Sequence, residues 1–466
     1  MTHIAERYLD LLGHDEAPRK AFLACSAAFR LDDDAARDAI ALVARSNGST
    51  ESLLQRIKGL GCVSQRWDGS WYLTEEVRSY LADRLDIEVP PEVRHRLHEV
   101  FSSHAERRLA TLAPDGAITV FHTRATRIES AYQKTLIPGR EQEGGRELGE
   151  TWLQARGSAR DATAEAVTRI AEELTVRGSQ LPDEVLFLRG MSAYRRGRRR
   201  QAEGDFRTVY ERGRPGKIHA IAAHLFGTLV RDRREAKRAL HRSLLWDPAP
   251  EGRAQTWHSL GNLVGGDSRN RLEAELAYRR SLELLHDPED KAQVWHSLGN
   301  LLSEDRMRWL EAENAYRRSL ELDPIFKGQG QVWHSLGNLL SKDRTRWPEA
   351  ENAYRRSLEL NTNFKSQGQV HASWADALMK VGGPPAFEQA EKLALKARTL
   401  DPRNPTTCGV ANRVLADIYE ARGQIEDAIA ALEALQETDR QLDNRKHHDR
   451  IQTRIQELRQ RAHAKA

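Results

Sequence analysis

The chain has 466 residues, 39% hydrophobic and 30% charged, with 72 Lys and Arg against 68 Asp and Glu for a formal net charge of +4. That length is too great for one ordinary core, the near-balance of charge lends little support to general polyanion binding, and the lack of any run near the ~18 apolar residues of a membrane span argues against a membrane role. Three scattered cysteines, Cys25, Cys62 and Cys408, form no Cys-x-x-Cys pair, so neither a zinc ribbon nor a disulfide framework is expected. With no apolar signal core at the N-terminus, a reducing cytoplasmic location is the expectation.

Residues 1–86 open with short helical patterns over 4–12, 18–29, 33–44 and 49–59, with Pro18 and Ser49 placed at helix starts. Two β-like pieces over 62–66 and 70–73 follow, joined by Trp67-Asp68-Gly69, whose Asp-Gly pair predicts a hairpin turn. Thr74 is placed to cap a helix running to residue 85, with Glu75 and Glu76 favourably set in its first turn. Helices followed by a hairpin and another helix make a winged-helix arrangement, with the 49–60 segment at the recognition-helix position. Gln55, Arg56 and Lys58 there, and Gln65, Arg66 and Trp67 at the wing, are candidate DNA contacts, although Glu51 at the N-terminal end of the same helix counts against that role.

Through Leu53, Leu54, Ile57, Gly61, Cys62, Val63 and the stretch from Tyr72 to Leu81, this segment resembles the winged-helix module that follows the nucleotide-binding core in bacterial signalling NTPases of the STAND class. The resemblance implies intramolecular or protein–protein packing. The G-x-x-x-x-G-K-[ST] phosphate loop is missing from the chain, so the class's ATPase activity does not carry over. The resemblance therefore implies a sensor half that works with a separately encoded NTPase or effector, in a bacterial signalling or defence system.

Residues 87–180 are expected to form an α-helical connector. Pro90 and Pro91 precede a helix over 92–112, Pro114-Asp115-Gly116 makes a turn, and a further helix covers 118–136. The segment from Pro138 to Gly145, rich in glycine and charge, predicts an exposed loop before a helical pair over 146–177, and Asp183 is placed to cap the helix after that. His95 and His98, with His104 further on, fit a charged helix face rather than a metal site.

From about residue 181 the sequence repeats itself. Trp257, Trp295 and Trp333 are 38 residues apart, as are Tyr278, Tyr316 and Tyr354. Each copy pairs W-x2-L-G with a later Ala, Tyr and Ser, as in Trp295, Leu298, Gly299, Ala312, Tyr316 and Ser319, with Pro324 after them. These copies resemble the tetratricopeptide repeat, which implies two antiparallel helices per unit. They depart from its 34-residue period by one residue in the turn and three between units. Weaker copies (Gly190, Phe206; Gly227, Leu240, Pro248; Ala390, Pro402; Tyr419, Gly423) extend the array to about seven units over 181–440, and residues 441–466 fit a solvated capping helix. The repeated Gly, Ala, Trp and Tyr are expected to hold helices together, with the aromatic residues filling the space between units.

In the resembled family the first helix of each unit lines the groove. Its groove-facing positions here are Gln255, His258 and Asn262; Gln293, His296 and Asn300; and Gln331, His334 and Asn338. Gln369 continues the row, while Ala372 and Asp376 replace His and Asn. Amides carry both donor and acceptor and match an extended peptide backbone, as in asparagine-ladder members of the family. The carboxylate-clamp cations are missing. A solvated groove left by recent duplication is the competing reading. Neighbouring helices hold the histidines too far apart for one metal ion, whereas their protonation near pH ~6 is a way to tune binding. A basic rim of Arg195, Arg196, Arg198, Arg199 and Arg200, after Arg189, is followed by Arg231, Arg233, Arg234, Lys237 and Arg238, and is either solvated or docks an acidic partner or phosphate backbone.

No catalytic motif and no cofactor are expected. The expectation is an all-α superhelix of tetratricopeptide-like units with a small N-terminal winged helix, acting as an adaptor for a protein or peptide segment. The alternative is a DNA-binding regulator that senses through its repeats.

Overall fold

The computed structural model describes residues 2–12, 16–44, 49–66, 69–112, 117–155, 162–177, 181–247, 249–322, 328–360, 364–441 and 445–465. The chain divides into two compact units, Met1–Pro248 and Ala249–Ala466. Among the described residues no helix is long and apolar enough to cross a membrane.

The first unit begins with helices Thr2–Leu11, Glu16–Cys25, Asp33–Val43 and Thr50–Lys58. Asp32 and Ser49 start the third and fourth by accepting the backbone N–H of Ala35 and Ser52, which satisfies donors that the helix itself cannot. Strands Val63–Gln65 and Trp71–Leu73 pair antiparallel with Val63 opposite Leu73, and Leu31 exchanges both backbone hydrogen bonds with Trp71 at 2.9 Å. Trp71 is wholly buried among Phe22, Leu23, Leu54 and Leu81, and its indole N–H donates to Asp33 Oδ1 at 3.0 Å. Of the expected turn, Trp67 and Asp68 lie outside the described residues, while Gly69 takes the positive φ of 81° such a turn requires. The next helix, Glu75–Glu88, runs past residue 85, and Thr74 precedes it without a side-chain cap.

Helices Pro91–Thr111, Ala117–Thr135, Glu141–Ala155 and Ala162–Arg177 follow; the expected turn at Pro114-Asp115-Gly116 lies outside the described residues. The expected exposed loop over 138–145 is corrected. Residues from Glu141 onward are helical, and Gly144 and Gly145 are buried. A Cβ on Gly144 would stand 2.5 Å from Ala131 O, and one on Gly145 would stand 2.6 Å from Pro182 Cβ. Glycine serves here as a contact surface rather than a chain breaker, a use that composition hides. His98 likewise leaves its expected charged face and is buried, with Nδ1 2.6 Å from Gln133 Oε1. Two helix pairs complete the unit, Asp183–Arg195 with Arg199–Arg212 and Lys217–Leu229 with Arg233–Trp246. Asp183 does not cap the first of these. It is buried inside the helix, 2.6 Å from Arg212 and 3.0 Å from His219 Nε2.

The second unit stacks five helix pairs: Pro250–Gly265 with Arg271–Leu284, Pro288–Ser303 with Trp309–Leu322, Gln329–Leu340 with Trp347–Leu360, Phe364–Val381 with Pro384–Leu400, and Pro405–Ala421 with Ile425–Gln441. In the three near-identical copies the ring of Tyr278, Tyr316 or Tyr354 lies against Gly261, Gly299 or Gly337; a Cβ there would come within 2.5, 2.6 and 3.0 Å of it. Ser281, Ser319 and Ser357 donate to the carbonyls of Ala254, Ala292 and Gly330, fixing the antiparallel register. The tyrosines are buried, each against the glycine of its own unit, and Trp257, Trp295 and Trp333, expected to fill space between units, remain half-exposed.

A single 3-10 turn (Ser268–Asn270, Arg306–Arg308, Arg344–Arg346) enters each connection, begun by the Asp267, Asp305 or Asp343 carboxylate. Pro324 and the rest of 323–327 lie outside the described residues, as does Pro248. The final helix, Arg445–Lys465, buries Ile451, Ile455 and Leu458 and so is held by an apolar stripe as well as by solvated charge.

Gly144→Ala is expected to destabilise the protein by about 2 kcal/mol, since overpacking outweighs the better helix propensity of alanine. Chemical denaturation measures it, and an unchanged or raised midpoint would return this segment to the surface.

Candidate interaction surface

In the second unit the first helices of adjacent pairs lie side by side. Side chains connect them directly: His258 Nε2 is 3.0 Å from Ser297 Oγ, and His296 Nε2 is 3.1 Å from Ser335 Oγ. The second helix of one copy is reached from the 3-10 turn of the next by longer arms. Arg308 forks onto Glu275 at 2.6 and 2.9 Å, and Arg346 onto Glu313 at 2.5 and 2.9 Å. The Gln, His and Asn row runs along the first helices.

The row splits into a locked part and an open part. Each histidine stands beside the tyrosine of its own unit, with ring centroids 5.9, 6.0 and 6.3 Å apart. Each tyrosine hydroxyl donates to the asparagine of its unit, Tyr278 to Asn262 at 2.9 Å, Tyr316 to Asn300 at 2.8 Å and Tyr354 to Asn338 at 2.9 Å. Each asparagine thus already accepts one internal hydrogen bond on its carbonyl oxygen, and the NH2 group of Asn300 stands 3.4 Å from His296 Nε2. Gln255, Gln293, Gln331 and Gln369 differ: among the described residues their side-chain amides meet no partner, and all but the half-buried Gln293 are exposed. At these four positions neither the donor nor the acceptor of the amide has a partner among the described residues.

Beyond the third copy the pattern ends physically. Trp374 stacks on Tyr354 at 5.9 Å, and Asp376, in the asparagine position, receives Arg413 at 2.6 Å. His334 makes no such bond to Ser373, the corresponding residue, and its Nε2 is without a hydrogen-bond partner among the described residues.

Burial lowers the titration of all three ladder histidines, carrying His296 and His334 to about 4. The pH ~6 switch expected from the sequence is thus displaced, because an imidazolium here would lose its water without gaining an anion. Burial also pushes the Tyr278 and Tyr316 hydroxyls up to about 12, so they stay donors.

Other sequence candidates are partly engaged elsewhere. On the basic rim, Arg196 pairs with Glu172 at 2.7 Å, Arg199 donates to Leu229 O at 2.8 Å, and Arg189 forks onto Asp205. Arg195, Arg198, Arg200 and Arg234 are exposed with no partner among the described residues; Arg233 is exposed and has interactions of its own. In the N-terminal segment, Arg56 donates to Leu12 O at 2.9 Å and Lys58 holds both oxygens of Asp33 at 3.0 Å. Gln55 donates to Glu51, and Arg66 lies 5.1 Å over the Tyr72 ring. Among the described residues no group of His, Cys, Asp and Glu could hold a metal ion. The serines Ser297 and Ser335 were missed by sequence reasoning. Their signal is the His-Ser dipeptide in every copy, which becomes meaningful only when one unit is stacked on the next.

Residues 332–367 match the family model of the tetratricopeptide repeat. No curated protein matches the sequence. Among solved structures, similar chains include a Pyrococcus horikoshii STAND protein with a tetratricopeptide-repeat sensor (12% identity, 98% of this chain and 67% of that one, TM-score 0.49). They also include PilF of Pseudomonas aeruginosa (19%, 58% and 97%, 0.35) and YrrB, described as a tetratricopeptide-repeat protein with an unusual peptide-binding site (20%, 43% and 93%, 0.28).

Because the histidines titrate lower folded than unfolded, the unfolded chain binds more protons between the two values, and stability falls as pH drops from about 6.5 toward 4. Melting of the full chain at pH 5 is expected to show a loss of up to roughly 2 kcal/mol per histidine relative to pH 7. His296→Gln with His334→Gln should flatten that slope, and an equally steep slope in the double variant would place its source elsewhere.

Proposed function

We propose that the chain is a non-enzymatic adaptor that holds an extended segment of a partner protein along the first helices of residues 250–381. The observation that carries this reading is the row of unpartnered glutamine amides, spaced by one unit each, above tyrosine–asparagine–histidine contacts that keep the surface rigid. An extended strand exposes carbonyls and N–H groups, and an amide can meet either. Rigid preorganisation lowers the entropy lost on binding.

The N-terminal segment is proposed as a winged-helix module that contacts protein, such as a separately encoded NTPase or effector in a bacterial cytoplasmic signalling system. The internal bonds of Arg56 and Lys58 support this over base reading, because both would have to leave carboxylate or carbonyl partners to reach a duplex. The exposed arginines of the rim are proposed to dock an acidic stretch of the partner, in which case affinity falls with salt.

Peptides selected by display against the full chain test the groove. The triple change Gln255→Ala, Gln293→Ala and Gln331→Ala is expected to weaken them at least tenfold with an unchanged melting temperature. Asn262→Ala, Asn300→Ala and Asn338→Ala should lower stability as well, since each strands a buried hydroxyl at a cost of about 1 kcal/mol or more. Undiminished peptide affinity in the glutamine variant would reject the groove.

A further inference from the structure

A cavity of ≈ 450 Å³ lies inside the first unit, between the hairpin and helices Ala117–Thr135 and Ala162–Arg177. Its volume falls in the range that holds a small organic molecule. Phe29, Tyr72, Ile128 and Ile170 supply apolar wall, and more of the lining is apolar than polar. Five arginines stand around it against three glutamates.

The charges are graded by depth. At the buried end Arg78 is neutralised, its two terminal nitrogens 3.0 and 2.7 Å from the oxygens of Glu173 while its guanidinium covers the Phe29 ring at 3.9 Å. Glu129, also buried, receives the Phe29 N–H at 3.1 Å and Gln133 Nε2 at 2.7 Å. Burial raises its carboxyl to about 7, so it is only partly ionised near neutrality, while the Glu173 charge is met by Arg78. Toward solvent, Arg66 rests on the Tyr72 ring and Arg169 meets Glu75 only at 3.3 Å, an exposed pair of little strength. With Arg30, which donates from Nε to Ser70 Oγ at 3.0 Å, and Arg124 also on the lining, the cavity wall is mostly apolar and its charge is on balance basic.

The geometry points to a binding site for a small organic anion with a flat apolar body, a carboxylate or sulfonate whose ring enters between Phe29, Ile128 and Ile170 while its charge stays with Arg66 and Arg169. A bare inorganic anion leaves the apolar wall unused, and an organic cation meets the wrong sign at the mouth. The site is independent of the peptide groove and lies wholly within the first unit.

The test uses the full chain with the aryl sulfonate 1-anilinonaphthalene-8-sulfonate as fluorescent probe, N-phenyl-1-naphthylamine as its neutral counterpart, and 4-phenylbutyrate as competitor. One equivalent of sulfonate is expected to bind at least tenfold more tightly than the neutral amine, to weaken with salt, and to be displaced by phenylbutyrate. Ala166→Phe, which fills the cavity, and Arg66→Glu, which reverses a charge at its mouth, should each weaken it at least tenfold with circular dichroism unchanged. If Ala166→Phe fails to fold, Arg66→Glu alone decides. Equal affinity for the neutral amine would make the cavity a socket for an apolar side chain and overturn the proposal, as would affinity that survives Arg66→Glu. The glutamine variant of the groove should bind the probe as the parent does.

Discussion

The second unit depends on the contact of a tyrosine ring with a glycine on the facing helix. In each near-identical copy the ring occupies the space a Cβ would need, so the two helices close around the aromatic face rather than around interleaved aliphatic side chains. The hydroxyl at the far end of the ring then has to find an acceptor, because it is carried into a buried place. Asn262, Asn300 and Asn338 provide it. The packing of the ring on glycine is thus coupled to the polar residue that the first helix carries beside it.

This coupling explains which parts of the surface were legible in the sequence. The 38-residue spacing is enough to find the paired helices of the three strong copies, and the direction of their side chains follows from helical geometry. The division of labour within the Gln, His and Asn row is not legible, because it depends on partners in the facing helix and the next unit. His258 and Ser297 are 39 residues apart and meet only through stacking. The same limit explains Gly144 and Gly145: a glycine that opens a turn and one that admits a neighbouring backbone look alike in a string of letters. The lining of the first unit's cavity comes from five separated stretches of chain and leaves no local pattern at all.

Burial also changes the chemistry that the letters suggest. Three histidines in a row invite thoughts of metal or of a proton switch near neutrality. Set beside tyrosine rings, and in two of the three copies bonded to a serine, they are buried enough that the neutral form is favoured. The arginines show the converse. Several that look like a uniform basic face are divided between internal forks, such as Arg189 on Asp205, and heads left in water.

The joints between copies carry one more consequence. Arg308 clasps Glu275 and Arg346 clasps Glu313 in the same way, whereas the first copy has Asn270 at the arginine's place. Both seams present identical halves, a carboxylate on one side and a guanidinium on the other. The joint between the first and second copies and the joint between the second and third therefore rest on one and the same ion pair, and with Asn270 the first copy offers no such arm to the pair of helices before it.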